Sequence, residues 1–260
     1  MMRSLWTAAS GMAAQQLNID TTANNLSNVN TTSFKKSRAE FEDLMYQTLN
    51  IAGRENQAGN TLPTGLQVGM GVKPASAHKF FEQGDFQNTG NPLDLAIEGD
   101  GFFQVEVNGD LAYTRAGNFK LDQDGQVVTS KGNPLQPPFN VPPEAENIEV
   151  TSDGRISALN DAGEELAGAD IPVYTFVNPA GLNSIGGNLY LETEASGAPQ
   201  EEIPGENNAG TIEQGFLEKS NVELVEEMVK MITAQRAYES NSKAITSSDE
   251  MLQTANQISR

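Results

Sequence analysis

Apolar residues recur at three- and four-residue spacing near both ends of the chain. Between those ends they gather into short β-prone runs divided by Asn-Gly and Asp-Gly pairs. The span Ser220–Arg260 holds no glycine and no proline. Ser220 followed three residues later by Glu223 reads as a capping box, in which each side chain satisfies an orphan backbone N–H at a helix start. One helix of roughly 55–60 Å is predicted from there, at about 1.5 Å rise per residue. Val222, Val225, Val229 and Ile232 form one stripe on it, and Met231, Ala234, Tyr238, Ile245, Leu252 and Ala255 a neighbouring one. Asn241 and Ser248 interrupt the second stripe, and Ala237 and Ala244 keep it thin, which suits close contact with other helices better than a monomeric core.

At the other end Leu5, Met12, Ile19 and Leu26 recur at intervals of seven, with Ala8, Ala9, Thr22 and Val29 between them. They predict a second heptad-like helix. Gly11 weakens it by about 1 kcal/mol relative to alanine, and Thr21, Asn24 and Asn25 weaken it further. Neither helix is expected to stand alone, so the two are expected to pair as a coiled-coil-like domain whose remaining surface is covered by other molecules.

The middle reads as an antiparallel all-β body. Phe102–Val107 meets Leu111–Thr114 at Asn108-Gly109, Phe119–Asp122 meets Val127–Thr129 at Asp124-Gly125, and Ile148–Ser152 meets Arg155–Leu159 at Asp153-Gly154. Such dipeptides between β-prone runs are strong hairpin signals. Ile171–Val177 and Asn188–Thr193 read as later strands, and Ala195–Gly210 as a loop. Asn50–Gly71, with Pro63 and many Gly, Asn and Thr, reads as a surface loop. Before it, Phe34, Phe41, Met45 and Leu49 fit a helical stripe, but Lys35–Glu42 fits an extended strand equally well. The expected fold is α+β, divided into a terminal helical domain (1–30 and 221–260), a connector (31–71) and a β-rich body (72–220).

Charge sharpens that division. Of a net −19, residues 71–220 carry seven basic and twenty-four acidic residues, whereas 1–40 carry four and two and 221–260 carry four and six. The near-neutral ends are free to pack, and the acidic body argues against a nucleic-acid partner. No apolar run approaches the 18 or so residues of a membrane span. The start, Met1-Met2-Arg3-Ser4-Leu5-Trp6, shows no cleavable secretory signal. With no cysteine and the single histidine His78, neither a Cys/His dyad nor a usual structural zinc site can form. Asp122–Gly125 lacks the first and last ligands of a calcium loop, Gly99-Asp100-Gly101 is too short to cradle a dinucleotide, and no carboxylate pair stands out as a glycosidase site. No catalytic residue, cofactor or metal is expected.

Three long motifs resemble the flagellar rod and hook axial proteins of bacteria. Ala23–Lys36 (ANNLSNVNTTSFKK) resembles that family's N-terminal signature through Asn24, Asn25, Asn28 and Phe34. Asn221–Val225 and Met231–Glu239 resemble its C-terminal signature through Asn221, Gln235, Arg236, Ala237 and Tyr238. Gly90–Phe103 and Tyr113–Phe119 are similar to its body. Ser33 stands where the family pattern usually has glycine, which argues against a left-handed turn there. Tyr46–Val72, containing Asn50, Asn60, Leu62, Pro63 and Gly65, looks like the insertion of distal-rod members; proximal-rod and hook members are the alternatives.

The resemblance implies a structural subunit rather than an enzyme. It would polymerise with itself into a rigid tube that crosses the periplasm, transmits torque and encloses the export channel. Its expected partners are further copies, the proximal rod protein, the hook protein, the P-ring and L-ring proteins, and the flagellar export apparatus that delivers it. Leu5, Met12, Ile19, Leu26, Val29, Val222, Val225, Val229, Ile232, Tyr238, Ile245 and Leu252 would pack the helices, and the insertion would stiffen the tube. The competing classes are a cell-wall hydrolase, which needs a cleft of convergent acids, and a monomeric acidic binding protein of the periplasm.

Overall fold

The computed structural model describes residues 2–53, 63–207 and 209–258. It is α+β and forms two compact units, one of residues 1–27, 37–78 and 223–260, the other of residues 28–36 and 79–222.

In the first unit α1 (Met2–Ser27) packs against α2 (Leu224–Ile258). Asn25 Nδ2 donates to Glu227 Oε2 at 3.0 Å, and a Cβ added at Gly11 would lie 3.0 Å from Asn241 Nδ2. These contacts are fourteen residues apart on each helix and run in opposite directions, so the helices are antiparallel. The covered positions are largely polar or small: Ala8, Ala14, Thr22 and Asn25 on α1, and Glu227, Ala234 and Ser248 on α2.

Helix α2 starts later than the capping box predicts. Ser220 Oγ accepts a hydrogen bond from Val222 N–H at 3.3 Å, and the first helical carbonyl is that of Glu223, which accepts from Glu227 N–H. Asn221 cannot join the helix because its side chain and its N–H are held by backbone of residues 34, 36, 80 and 82.

The segment that fitted helix and strand equally is extended: β1 (Ser37–Asp43) pairs with β4 (Val72–Lys79). Between them β2 (Gln47–Asn50) runs antiparallel to β3 (Leu66–Val68), so the edges of the expected loop are strand. Residues 54–62, among them Asn60 and Leu62, lie outside the described residues.

The second unit is the β body. Its strands are β5 (Phe86–Asn88), β6 (Leu95–Glu98), β7 (Phe103–Val107), β8 (Asp110–Thr114), β9 (Lys120–Leu121), β10 (Val127–Val128), β11 (Leu135–Gln136) and β12 (Asn147–Val150). They continue as β13 (Arg155–Leu159), β14 (Glu165–Asp170), β15 (Val173–Thr175), β16 (Asn183–Gly186), β17 (Leu189–Leu191), β18 (Gln200–Glu202), β19 (Thr211–Gln214) and β20 (Phe216–Glu218). A five-stranded sheet runs β11-β7-β8-β17-β16 and a three-stranded one β12-β13-β14; β6 pairs with β19, β5 with β20, β15 with β18 and β9 with β10. All three expected hairpins form, and β18 lies within the stretch expected to be loop. At the first hairpin Asn108 and Gly109 have φ of 54° and 93°, the two left-handed residues that a two-residue turn between right-twisted strands requires.

Alternating residues fill the core. Phe103, Val105, Phe119, Leu135, Ile156 and Ile212 are each under 2% exposed. A second cluster, Phe102, Tyr113, Tyr174, Phe176 and Tyr190, packs mainly edge to face, with Phe81 against it. Edge-to-face pairs add about 0.5–1.5 kcal/mol each beyond their burial.

Candidate functional site

In the helical unit the Asn25 amide acts as a substitute strand. Its Nδ2 donates to Ser37 O at 2.8 Å and its Oδ1 accepts from Ser37 N–H at 2.9 Å, so both backbone groups of the first residue of β1 are satisfied from α1. The same Nδ2 reaches Glu227, a carboxylate 2% exposed. Lys230 Nζ lies 2.9 Å from the other oxygen of Glu227 and 3.1 Å from Glu226. A buried carboxylate is tolerated only when paired and hydrogen-bonded, which makes Asn25 and Lys230 joint conditions for burying Glu227.

Asn221 does the same in the β body. Its Oδ1 accepts from Lys36 N–H at 2.8 Å, and its Nδ2 donates to the carbonyls of Phe80 and Glu82, each at 3.0 Å. Leucine or alanine here would leave three backbone groups unmatched, at about 1–3 kcal/mol for each one buried.

Close to Asn221 in the sequence lies a buried charge cluster. Lys35 Nζ meets Glu218 Oε1 at 2.6 Å, and Arg115 Nε meets Glu218 Oε2 at 3.0 Å, with all three side chains at most 2% exposed. Backbone groups add further hydrogen bonds to the cluster. Lys35 also donates to Glu82 O at 2.7 Å, Arg115 Nη2 to Gly99 O at 2.6 Å, and Gly84 N–H to Glu218 Oε1 at 2.9 Å. Gly84 is glycine because a Cβ would collide with the Lys219 carbonyl oxygen. Burial, and then the neighbouring Arg115 charge, pull the Lys35 ammonium down to about 8, against the opposing pull of Glu218.

Ser33 completes the arrangement. Its φ is 55°, so the left-handed turn that serine argued against is present. Its N–H donates to Glu218 O at 2.8 Å and its Oγ to Arg115 O at 2.8 Å, and these bonds offset the strain of a side chain in that conformation. The cluster thus ties three distant stretches of chain into one body.

Most residues expected to pack the helices are only partly covered. Leu5, Met12, Ile19, Leu26, Val29, Ile245 and Leu252 are half-buried, and Tyr238 is 38% exposed. Val222 is buried, but it lies ahead of α2 and in the β body. Val225, Val229 and Ile232 are 72%, 54% and 48% exposed, and Leu224 and Met228 beside them are also open. The stripe expected to lead the packing is therefore uncovered in the single chain, and the neighbouring one is the covered one. Among the signature residues, Asn25 and Asn221 are the clamps and Asn28 accepts from the Thr31 hydroxyl. Phe34 accepts at its carbonyl from Asn221 N–H, Ala237 is half-buried, and Asn24, Gln235 and Arg236 are exposed. In the connector Asn50 pairs with Leu66, while Pro63 and Gly65 are exposed.

The cluster's members come from the three parts of the chain that match known families. Residues 5–35 match a family of flagella basal body rod proteins, 96–158 the D1 domain of the flagellar hook proteins FlgE/F/G, and 213–258 the C-terminal region of the flagellar basal body rod FlgEFG proteins. Full-length similarity agrees. The chain is 51% identical over 264 residues to the flagellar basal-body rod protein FlgG of Borreliella burgdorferi, covering all of both chains. It is 48% identical over 260 residues to FlgG of Buchnera aphidicola from Schizaphis graminum, covering 99% of this chain and all of the relative. The chain belongs to the flagellar basal-body rod protein family. A more distant relative, the flagellar hook-basal body complex protein FlhP of Bacillus subtilis, is 34% identical over 274 residues, or 99% of this chain and all of FlhP. This family is structural rather than enzymatic and places the chain in the flagellar basal body, assembled with rod and hook components.

Sequence reasoning missed Lys35, Arg115, Glu218 and Glu227 as positioning residues. A signal was present for the first two, since cations are scarce among the acids of the body and its edges. Nothing in the sequence marks Glu218 or Glu227 among thirty-five acidic residues.

Proposed function

We propose that the chain is the repeating subunit of the distal rod, a stiff self-assembled tube that carries motor torque across the periplasm to the hook and encloses the export channel. The observation that supports this most is the uncovered apolar face of α2 at Leu224, Val225, Met228, Val229 and Ile232, on a helix whose opposite face already covers α1. A face of that kind is stable in water only when another helix covers it. The seam supports a coiled-coil reading: Glu227, Ala234, Asn241 and Ser248 recur at sevens, with Met231, Tyr238, Ile245 and Leu252 between them at the complementary positions. Asn60 and Leu62, with Asn50, Pro63 and Gly65, belong to the insertion that would stiffen the tube. Met45, 87% exposed, and Ile51, 66% exposed, supply apolar contacts at its near edge. The proximal rod protein, the hook protein and the P- and L-ring proteins are its neighbours in this reading, the flagellar export apparatus delivers it, and the acidic body keeps the shaft from adhering to the rings.

Sedimentation and electron microscopy test the reading. The purified chain is expected to form straight polymers as its concentration rises. Deleting residues 54–62 should preserve polymerisation and give curved or compliant filaments. A chain that remains monomeric at all concentrations would overturn the proposal, and straight filaments of unchanged stiffness would remove the insertion's role.

A further inference from the structure

The β body carries a groove of about 1080 Å³ that neither helix packing nor the charge cluster uses. On its lining Gln104 and Tyr174 are 7% and 8% exposed. Gln104 donates through Nε2 to the Tyr113 hydroxyl at 3.1 Å, which leaves its amide oxygen without a donor among the described residues. The Tyr174 hydroxyl likewise has no hydrogen-bond partner among the described residues. Burial, and then the charge of Glu201, push that hydroxyl up to about 12, so it keeps its proton and can donate. Among the described residues no side-chain polar atom shut off from solvent lacks a partner, so both groups open to the groove, where a ligand lying along it can meet them.

The walls and rim narrow the chemistry. Pro137, Pro172, Pro204 and Ile203 are apolar wall, and Ile203 is 58% exposed. Asp153, Asp170, Glu201 and Glu202 line the rim. The one cation there, Arg155, is already matched by Glu165 at 2.8 Å, so the rim is strongly negative. Another copy of this chain is a poor occupant, because its own body brings seven basic against twenty-four acidic residues over positions 71–220.

We infer that this groove docks an extended, lysine- or arginine-bearing segment of a different protein, whose apolar side chains lie against the prolines while its cationic groups meet the rim and its backbone meets Gln104 and Tyr174. Flat proline walls and unpaired donor and acceptor groups suit an extended peptide, which offers both a free N–H and a free C=O at each turned-out residue. The site is separate from the α2 face invoked for polymerisation.

The test uses the full-length chain and fluorescein-labelled (Lys-Leu)3 amide, with (Glu-Leu)3 amide as the control and chitohexaose as a competitor, read by fluorescence anisotropy. The cationic peptide is expected to bind. Glu201→Gln with Glu202→Gln should weaken it at least about fivefold, and Tyr174→Phe, which keeps the ring in its aromatic cluster, about threefold. Glu144→Gln with Glu146→Gln, an equal change of charge elsewhere on the body, should leave binding unaltered. Equal weakening by both double variants would reduce the effect to general attraction and overturn the inference. So would absence of binding, or chitohexaose binding that the two Glu201 and Glu202 changes abolish while the peptide does not bind.

Discussion

The two units of this chain arrange polarity in opposite ways. The β body buries Phe103, Val105, Leu135 and Ile156 and turns most of its carboxylates to water, Glu218 being held inside by Lys35 and Arg115. The helix pair covers Thr22, Asn25, Glu227 and Ser248 and leaves Val225, Met228, Val229 and Ile232 in solvent. One unit is finished when the chain has folded; the other has spent its polar residues on its internal seam and kept its apolar ones for another molecule. The difference shows that burial within one chain and burial within an assembly can be read separately, and it predicts which substitutions damage folding and which damage only assembly.

The largest effect should come from the body. Glu218→Gln keeps the shape of the side chain but leaves Lys35 and Arg115 buried without their shared anion. Removing one partner of a buried ion pair costs about 3–5 kcal/mol. Urea denaturation followed by far-ultraviolet circular dichroism should show the β transition move by that amount. A shift below about 1 kcal/mol would mean that the cluster is not what ties residues 33–35 and 218 into the body.

Next comes Ile232→Asp, whose consequence should fall on assembly. At 48% exposure the residue contributes little to the lone chain, and surface substitutions usually stay within about 0.5 kcal/mol. In a polymer the same aspartate is an unpaired charge pressed into an apolar contact, at a cost of several kcal/mol. Sedimentation should therefore show monomer at concentrations where the native chain polymerises, with an unchanged urea midpoint for the body. Loss of body stability together with polymer would break the contrast between the units.

How much of this was legible follows from how local each signal is. Asn108-Gly109, Asp124-Gly125 and Asp153-Gly154 set turns through their own backbone preferences, so those hairpins could be read directly. The long helices could be read from period. Which of two apolar stripes on α2 meets α1 could not, because that depends on a partner more than 200 residues away, and the deciding residues, Asn25 and Glu227, are polar. Ser220 and Glu223 satisfied a local rule that the tertiary pull on Asn221 overrode. The Lys35–Glu218–Arg115 cluster is non-local throughout, and charged residues normally read as surface.

A smaller effect should appear as a pH dependence of the body. With its folded pKa lowered to about 8 from the usual 10.5, Lys35 binds its proton less tightly in the folded chain than in the unfolded one. Charging it opposes folding. That penalty is present below pH 8 and is relieved as the pH rises from about 8 to 10.5, where the unfolded chain still holds the proton. Lys35→Met removes the titrating group. The stability of the native chain relative to this variant should therefore rise across that window, by no more than about 1.4 kcal/mol per pH unit, the limit for one proton. A relative stability that falls over the same range would show that the attraction of Glu218 outweighs burial.

The smallest effect is expected at Ser33, where two terms nearly cancel. Glycine would relieve a left-handed conformation at φ 55°, worth roughly 1–2 kcal/mol. It would also lose the buried hydrogen bond from Ser33 Oγ to Arg115 O, roughly 0.5–1.5 kcal/mol, and add about 0.5–1 kcal/mol of unfolded-chain freedom. Ser33→Gly should therefore stay within about 1 kcal/mol of the native chain. Ser33→Ala separates the terms, since it keeps the strained Cβ and discards only the hydroxyl, so it should be the less stable of the two by about 1 kcal/mol. Parallel urea titrations of the three proteins decide it. If alanine equals the native chain while glycine is clearly less stable, the hydroxyl contributes nothing, and the left-handed turn is held by the Ser33 N–H to Glu218 carbonyl bond and its packing alone.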